Sequence, residues 1–168
     1  MTRIPSHTVD DAPEASRALL QEMTQFSPTG RPLNMHAQMA HSPAVLEGYV
    51  SLRRATARLG TLDQAIRAAL MLASAAAAGN RYAVAVLSAL ALRSGWHQDQ
   101  VDALRDGKEL GDAAAGQGRV GDATWAGAQA AGWNDEQLAE AFSYLGLAVF
   151  TAYFLNYAGT EPDLPARA

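Results

Sequence analysis

Cysteine is absent from all 168 residues. That gap excludes a disulfide, a thiolate nucleophile and any Cys-ligated metal. Positive charge is scarce too: 13 Lys and Arg stand against 17 Asp and Glu, a net charge of −4. Without a broad basic surface, nucleic acid is not an expected partner. The opening residues MTRIPSHTVDDAPEAS lack the apolar core of a secretory signal, so a cytoplasmic location is expected. No run alternates β-branched and aromatic residues as a strand does, and no internal repeat is visible. The G-x-S-x-G elbow and the P-loop are missing, and no acidic pair stands apart as a catalytic dyad. Asp11, Glu14, Asp63, Asp135 and Glu136 gather instead at helix starts, where the helix dipole favours them. No cofactor and no metal is expected.

What the chain does have is alanine and helix punctuation. Ala carries the best intrinsic helix propensity, and the pattern predicts an all-α fold of about eight helices. The length suits one domain spanning residues 1–168, with loose termini over 1–11 and 160–168. Asp11-Ala12-Pro13-Glu14 opens the first helix, with Asp11 read as its N-cap. A short helix around Leu33 to His41 follows. Ser42-Pro43 starts a third, which Gly60 stops. Thr61 is read as the cap of a fourth, Gly79 breaks it, and a fifth runs from about Asn80 to Ser94. Shorter helices are predicted over Gln98 to Leu104 and Asp122 to Ala131. Asn134 and Gln137 set a capping-box start for the last, from Asp135 to about Ala158.

Two stretches are unusually free of charge. Between Arg67 and Arg93 only Arg81 is charged, which predicts a buried antiparallel helical hairpin over about residues 61–94. The segment AFSYLGLAVFTAYFLNYAGT, Ala141 to Thr160, is uncharged over roughly the length of a membrane span. Its Ser143, Thr151, Asn156 and three tyrosines, with apolar helices available to cover it, favour a buried helix over a span. No membrane association is expected.

GQGRVG, Gly116 to Gly121, matches G-x-G-x-x-G. A dinucleotide site needs a strand before that motif, and DAAA precedes it, so it reads as a connector. His36 and His41 are five residues apart, about 140° around a helix, which does not suit chelation. His41 reads as a helix-end residue, and His7 and His97 as solitary surface residues.

NRYAVAVL, Asn80 to Leu87, is a polar notch between two apolar helices. Asn80, Ala83 and Leu87 lie at i, i+3 and i+7 and share one helix face. At these residues the chain resembles the AhpD-like, or carboxymuconolactone decarboxylase, family. LNMHAQMAHSPAVLEGYVSL resembles that family's N-terminal helix pair, and TLDQAIRAALMLASAAAAGNRYAVAVLSALALRSGW its core hairpin. AAGWNDEQLAEAF resembles its later Gly, Asp-Glu and helix segment. FTAYFLNYAGTEPD resembles its C-terminal helix, with an Asn near the end and a following g-e-p-d. Together these span about residues 32 to 163.

The resemblance implies an AhpD-like helical domain assembled as a homo-oligomer, a trimer or hexamer. It also implies where chemistry would stand: Cys-x-x-Cys-x-x-x-His at the start of the fifth helix and a Glu on the fourth. There the thiols reduce a peroxide while His and Glu relay protons. Aligned on Tyr82, Asn80 takes the first Cys position, Ala83 the second, Leu87 the His and roughly Ala68 the Glu. Every reactive group is replaced, so thiol peroxidase activity is not expected. The expectation is a non-catalytic binding or structural relative; the alternative is a cofactor-free lyase, decarboxylase-like, or another enzyme acting on a small carboxylated ligand. A pocket bordered by His36, Tyr49, Asn80, Arg81 and Tyr82 is the candidate site for a small acid. Arg81 is read first as covering the C-terminal carbonyls of the fourth helix, and otherwise as holding a carboxylate or phosphate.

Overall fold

The computed structural model describes residues 2–27, 29–106 and 118–163. Eight α-helices follow one another among them: α1 (Glu14–Gln25), α2 (Asn34–Met39), α3 (Pro43–Leu59), α4 (Gln64–Ala77), α5 (Arg81–Arg93), α6 (Gln98–Arg105), α7 (Asp122–Ala130) and α8 (Asp135–Ala158). No strand occurs among the described residues. The fold is all-α, as the alanine content and helix punctuation predict.

Most helix starts rest on the expected chemistry. Pro43 sits in the first turn of α3, where its missing N–H costs nothing. At α8, Gln137 N donates to Asn134 Oδ1 (2.9 Å) and Asn134 N donates to Gln137 Oε1 (3.1 Å), a complete capping box. Two expected caps are replaced by others. Asp63, not Thr61, caps α4, accepting from Ile66 N at 2.9 Å. Thr61 is taken by a distant carboxylate, Glu140, through both its N–H and its hydroxyl (2.7 Å each). Pro13 occupies the N-cap of α1, and Asp11 turns back to accept from Thr8 N (2.8 Å).

α4 and α5 form the expected hairpin, and α8 lies against α4 while also touching α3 and α5. α6 closes on α4 and α5, and α1 and α2 pack on α3. One apolar cluster joins α4, α5, α6 and the end of α8 around Leu72, Leu87, Leu104 and Leu155. A second joins α1, α2, α3 and the middle of α8 around Leu20, Met39, Leu46 and Leu147. Met35 and Met71 pack against both, so the two cores are continuous.

Gly60 shows why the α3–α4 turn tolerates no side chain. A Cβ there would overlap the Thr56 carbonyl oxygen and lie 2.6 Å from the Tyr144 hydroxyl and 2.7 Å from Glu140 Oε1. That crowding is the join between the α3–α4 corner and α8.

Three expectations are corrected. Residues 1–11 were expected to be loose, yet Arg3 N donates to Ala158 O (2.8 Å) and His7 N to Ala37 O (3.0 Å). The C-terminal tail is held through Asp163, as described below, while residues 164–168 lie outside the described residues. The last helix is not wholly buried. Tyr144, Leu147, Ala148, Ala152, Leu155 and Ala158 face the core, but Phe142, Phe150, Tyr153 and Tyr157 are exposed at 66%, 39%, 62% and 73%. At 100° per residue these four aromatics fall within about 80° of one another, a stripe along one side of the helix. The helix has the length and apolarity of a membrane span. Of the GQGRVG stretch, Gly116 and Gln117 lie outside the described residues, and the remainder leads into α7.

Candidate functional site

The notch at Asn80 is built from the turn outward. Gly79 adopts φ +64°, a conformation glycine enters freely, and Asn80 N donates back to Ala75 O at 3.3 Å. Asn80 then caps α5, its Oδ1 accepting from Ala83 N at 2.7 Å. Its Nδ2 donates to Asn156 Oδ1 (2.7 Å) and to Ala152 O (3.4 Å) on α8. Asn156 Nδ2 in turn donates to Ala78 O, a carbonyl at the end of α4 (3.3 Å). Asn80 is 5% exposed, so its polar atoms are committed to this stitch between the hairpin turn and α8.

The other motif positions are apolar and buried. Ala68 (1%), Ala83 (4%) and Leu87 (8%) belong to the core of α4, α5 and α6. Arg81 is exposed and makes no hydrogen bond or ion pair among the described residues. The carbonyl it was expected to cover, at the end of α4, is served by Asn156 instead.

The candidate pocket therefore divides. Asn80 and Arg81 leave it, while His36, Tyr49 and Tyr82 are brought together with two residues that sequence reading missed, Arg53 and Asp163. His36, on α2, is 2% exposed, and its ring lies 5.3 Å from that of Tyr49 on α3, tilted by 47°. Neither of its ring nitrogens has a hydrogen-bond partner among the described residues. Burial holds the imidazole neutral by lowering its pKa from 6.5 to about 4; Arg53 pushes the same way, and Asp163 opposes it. Tyr82, at the start of α5, donates its hydroxyl to Asp163 Oδ1 at 2.7 Å. Its phenol is pushed up by burial, by that bond and by the charges of Asp163 and Tyr49. Tyr49 is raised by burial against the opposing pull of Arg53. The Arg53 guanidinium lies 4.9 Å over the Phe26 ring, which sets its position. Asp163 Oδ2 accepts from Asn34 N. The cluster thus joins α2, α3, α5 and the C-terminal tail. Its groups are an imidazole free to donate and accept, two phenols, a cation and a carboxylate. They are suited to holding a small polar ligand or moving a proton.

The remaining histidines correct a further reading. His7 is not solitary: its Nε2 lies 3.0 Å from His41 Nδ1, the rings stack at 5.3 Å, and its Nδ1 lies 3.1 Å from Asp11 Oδ1. His97 donates its backbone N–H to Gln100 Oε1 (3.0 Å) at the start of α6. Among the described residues no group of three His, Asp or Glu side chains is placed to hold a metal ion. Two shallow depressions open elsewhere, about 680 Å³ beside Ser51, Arg54 and Arg58, and about 210 Å³ beside Ala65, Trp96 and Gln100.

No protein-family model matches the chain, and no curated protein matches it. Among solved structures it is similar to the crystal structure of an alkylhydroperoxidase AhpD core, an uncharacterized peroxidase-related protein from Ralstonia eutropha JMP134. The TM-score is 0.81 at 17% identity, over 96% of this chain and 92% of that one. The architecture is therefore AhpD-like.

Proposed function

From an AhpD-like fold without thiols, we propose that this chain is a non-catalytic relative of the peroxidase-related proteins, serving in binding or structure. The carrying observation is the use made of the four motif positions. Ala68, Ala83 and Leu87 are core, and Asn80 is a helix cap bonded to Asn156. Nothing at these positions forms a thiolate or relays a proton. The test is steady-state reduction of hydrogen peroxide and of an organic hydroperoxide by the purified chain with a dithiol reductant. The expected rate equals the protein-free control. A rate proportional to protein concentration overturns the proposal.

We further propose that the protein works as a homo-oligomer, a trimer or hexamer being the form its fold suggests. The aromatic stripe of α8 supports this, since a row of exposed Phe and Tyr is costly to leave in water and typical of a covered face. α7, with Trp125 and four alanines, buries none of its residues within the protomer and adds to that surface. Size-exclusion chromatography with light scattering is expected to report a multiple of 17.8 kDa. A stable monomer contradicts it.

A second reading, a cofactor-free lyase on a small carboxylated ligand, draws its support from the His36–Tyr82–Asp163 cluster and not from Arg81.

A further inference from the structure

We propose that the Asp163 carboxylate is the internal occupant of a site for small carboxylic acids, formed by Asn34, His36 and Tyr82. The inference names a ligand class for the binding reading and rests on it, but it needs none of the absent thiols.

The first observation is the reception given to Asp163. One carboxylate oxygen takes the Tyr82 hydroxyl at 2.7 Å and the other takes Asn34 N. These donors come from elements far apart in the chain and converge on one anion. Two neutral donors converging on one carboxylate offset part of the cost of taking it out of water.

The second observation is independent of Asp163's own bonds. His36 is 2% exposed and both ring nitrogens lack partners. Buried polar atoms in proteins are almost always paired, so an unpaired imidazole beside a charged cluster marks a place for a polar partner that the protein itself does not supply. A short carboxylic acid fits: its carboxylate replaces that of Asp163, and a second polar group, such as a hydroxyl or keto oxygen, meets the imidazole.

The third observation is the attachment of Asp163. It sits on a tail that leaves α8 at Ala158 and is held near the site by Thr160 Oγ1 to Gln38 Oε1 and by Asn34 Nδ2 to Glu161 O (3.0 Å). Release breaks these bonds together with the two made by Asp163 itself, and an external carboxylate competes with the tethered one for the Tyr82 and Asn34 donors. A site filled by its own tail nine-tenths of the time binds an external ligand about tenfold more weakly than the open site.

The test compares the unmodified chain with Asp163→Ala, titrated with sodium acetate and with sodium chloride at equal ionic strength and pH 7. The expected result is an acetate-specific, saturable rise in Tm for Asp163→Ala, with an apparent Kd about tenfold below that of the unmodified chain. Adding Tyr82→Phe is expected to remove most of that gain. The ¹⁵N signals of the His36 ring in Asp163→Ala are expected to move with sodium glycolate, whose hydroxyl meets the imidazole, and not with sodium chloride. Equal responses to acetate and chloride, an undiminished acetate effect in the double variant, or a His36 ring unmoved by glycolate overturns the proposal. If Asp163→Ala does not fold in buffer, folding recovered by acetate alone supports it, and no recovery overturns it. Peroxide turnover in the earlier assay would remove the non-catalytic reading while leaving this result to stand by itself.

Discussion

Replacing His36 with Leu should remove a defined part of the protein's acid sensitivity. In the folded chain the imidazole is buried beside Tyr49, and its pKa is lowered from 6.5 to about 4, chiefly by burial. The unfolded chain therefore binds a proton in the window between pH 6.5 and 4 that the folded chain refuses. Where the unfolded state holds more protons, stability rises with pH. The His36 contribution is thus unpenalised above pH 6.5 and declines as pH falls towards 4. Between pH 7.5 and pH 5 the linkage amounts to about 2 kcal/mol, at a pH still above the range where most carboxylates titrate. Leu has nearly the volume of His and brings no polar atoms. His36→Leu should then equal or exceed the unmodified chain in stability at pH 7.5, because the two unpaired ring nitrogens are gone. The assay is urea unfolding followed by circular dichroism at pH 7.5, 6.5, 5.5 and 5. His7, His41 and His97 are common to both proteins and cancel in the comparison. Equal losses of stability in the two proteins over this range would refute the reasoning, as would a large destabilisation by Leu at pH 7.5.

Other outcomes follow from the same geometry. Gly60→Ala should destabilise by about 2 kcal/mol or more, measured by chemical denaturation, because its Cβ meets backbone and the Tyr144 and Glu140 oxygens. Glu140 is desolvated, but donors from Thr61, Leu62 and Tyr144 outweigh that and lower its pKa. Its contribution is therefore present above the unfolded carboxylate pKa and lost as pH falls through the folded one. Glu140→Gln should cost about 1 kcal/mol at pH 7, since the half-buried group is still partly screened by solvent, and the difference should close in acid. Arg81→Ala should change stability by less than about 0.5 kcal/mol in thermal unfolding, since the side chain is exposed and has no bonded partner among the described residues.

The helices were legible because their signals are local. Asn134 with Gln137, and Ser42 with Pro43, act over three or four residues, and α8 begins and ends where those signals put it. Thr61 misled for the opposite reason. Its hydroxyl is a competent cap, but Glu140 takes it from 79 residues away, and Asp63 is left to do the capping. The site was half legible. The spacing of Asn80, Ala83 and Leu87 predicted their shared face, and the AhpD-like architecture bears out the resemblance. Arg53 and Asp163 were missed because Asp163 lies 81 residues from Tyr82, in a tail whose Pro and Gly content resembles a loose end. The charge-free run of α8 announced removal from water without saying by what. Only one face is covered within the protomer, and the aromatic stripe is left for something else.

The account turns on Asn80, which stands where a reactive residue would and is bonded as a structural one. Its most direct test is the stability of Asn80→Ala. Loss of the cap leaves the buried Ala83 N–H unpaired, at about 1 to 2 kcal/mol, and loss of the bond to Asn156, which is exposed and turns to water, removes about another 1. A structural Asn80 predicts a loss of about 2 to 3 kcal/mol in denaturant unfolding. Residues kept for a reaction are commonly neutral or costly to stability. An Asn80→Ala chain as stable as the unmodified one, or more so, would contradict the account.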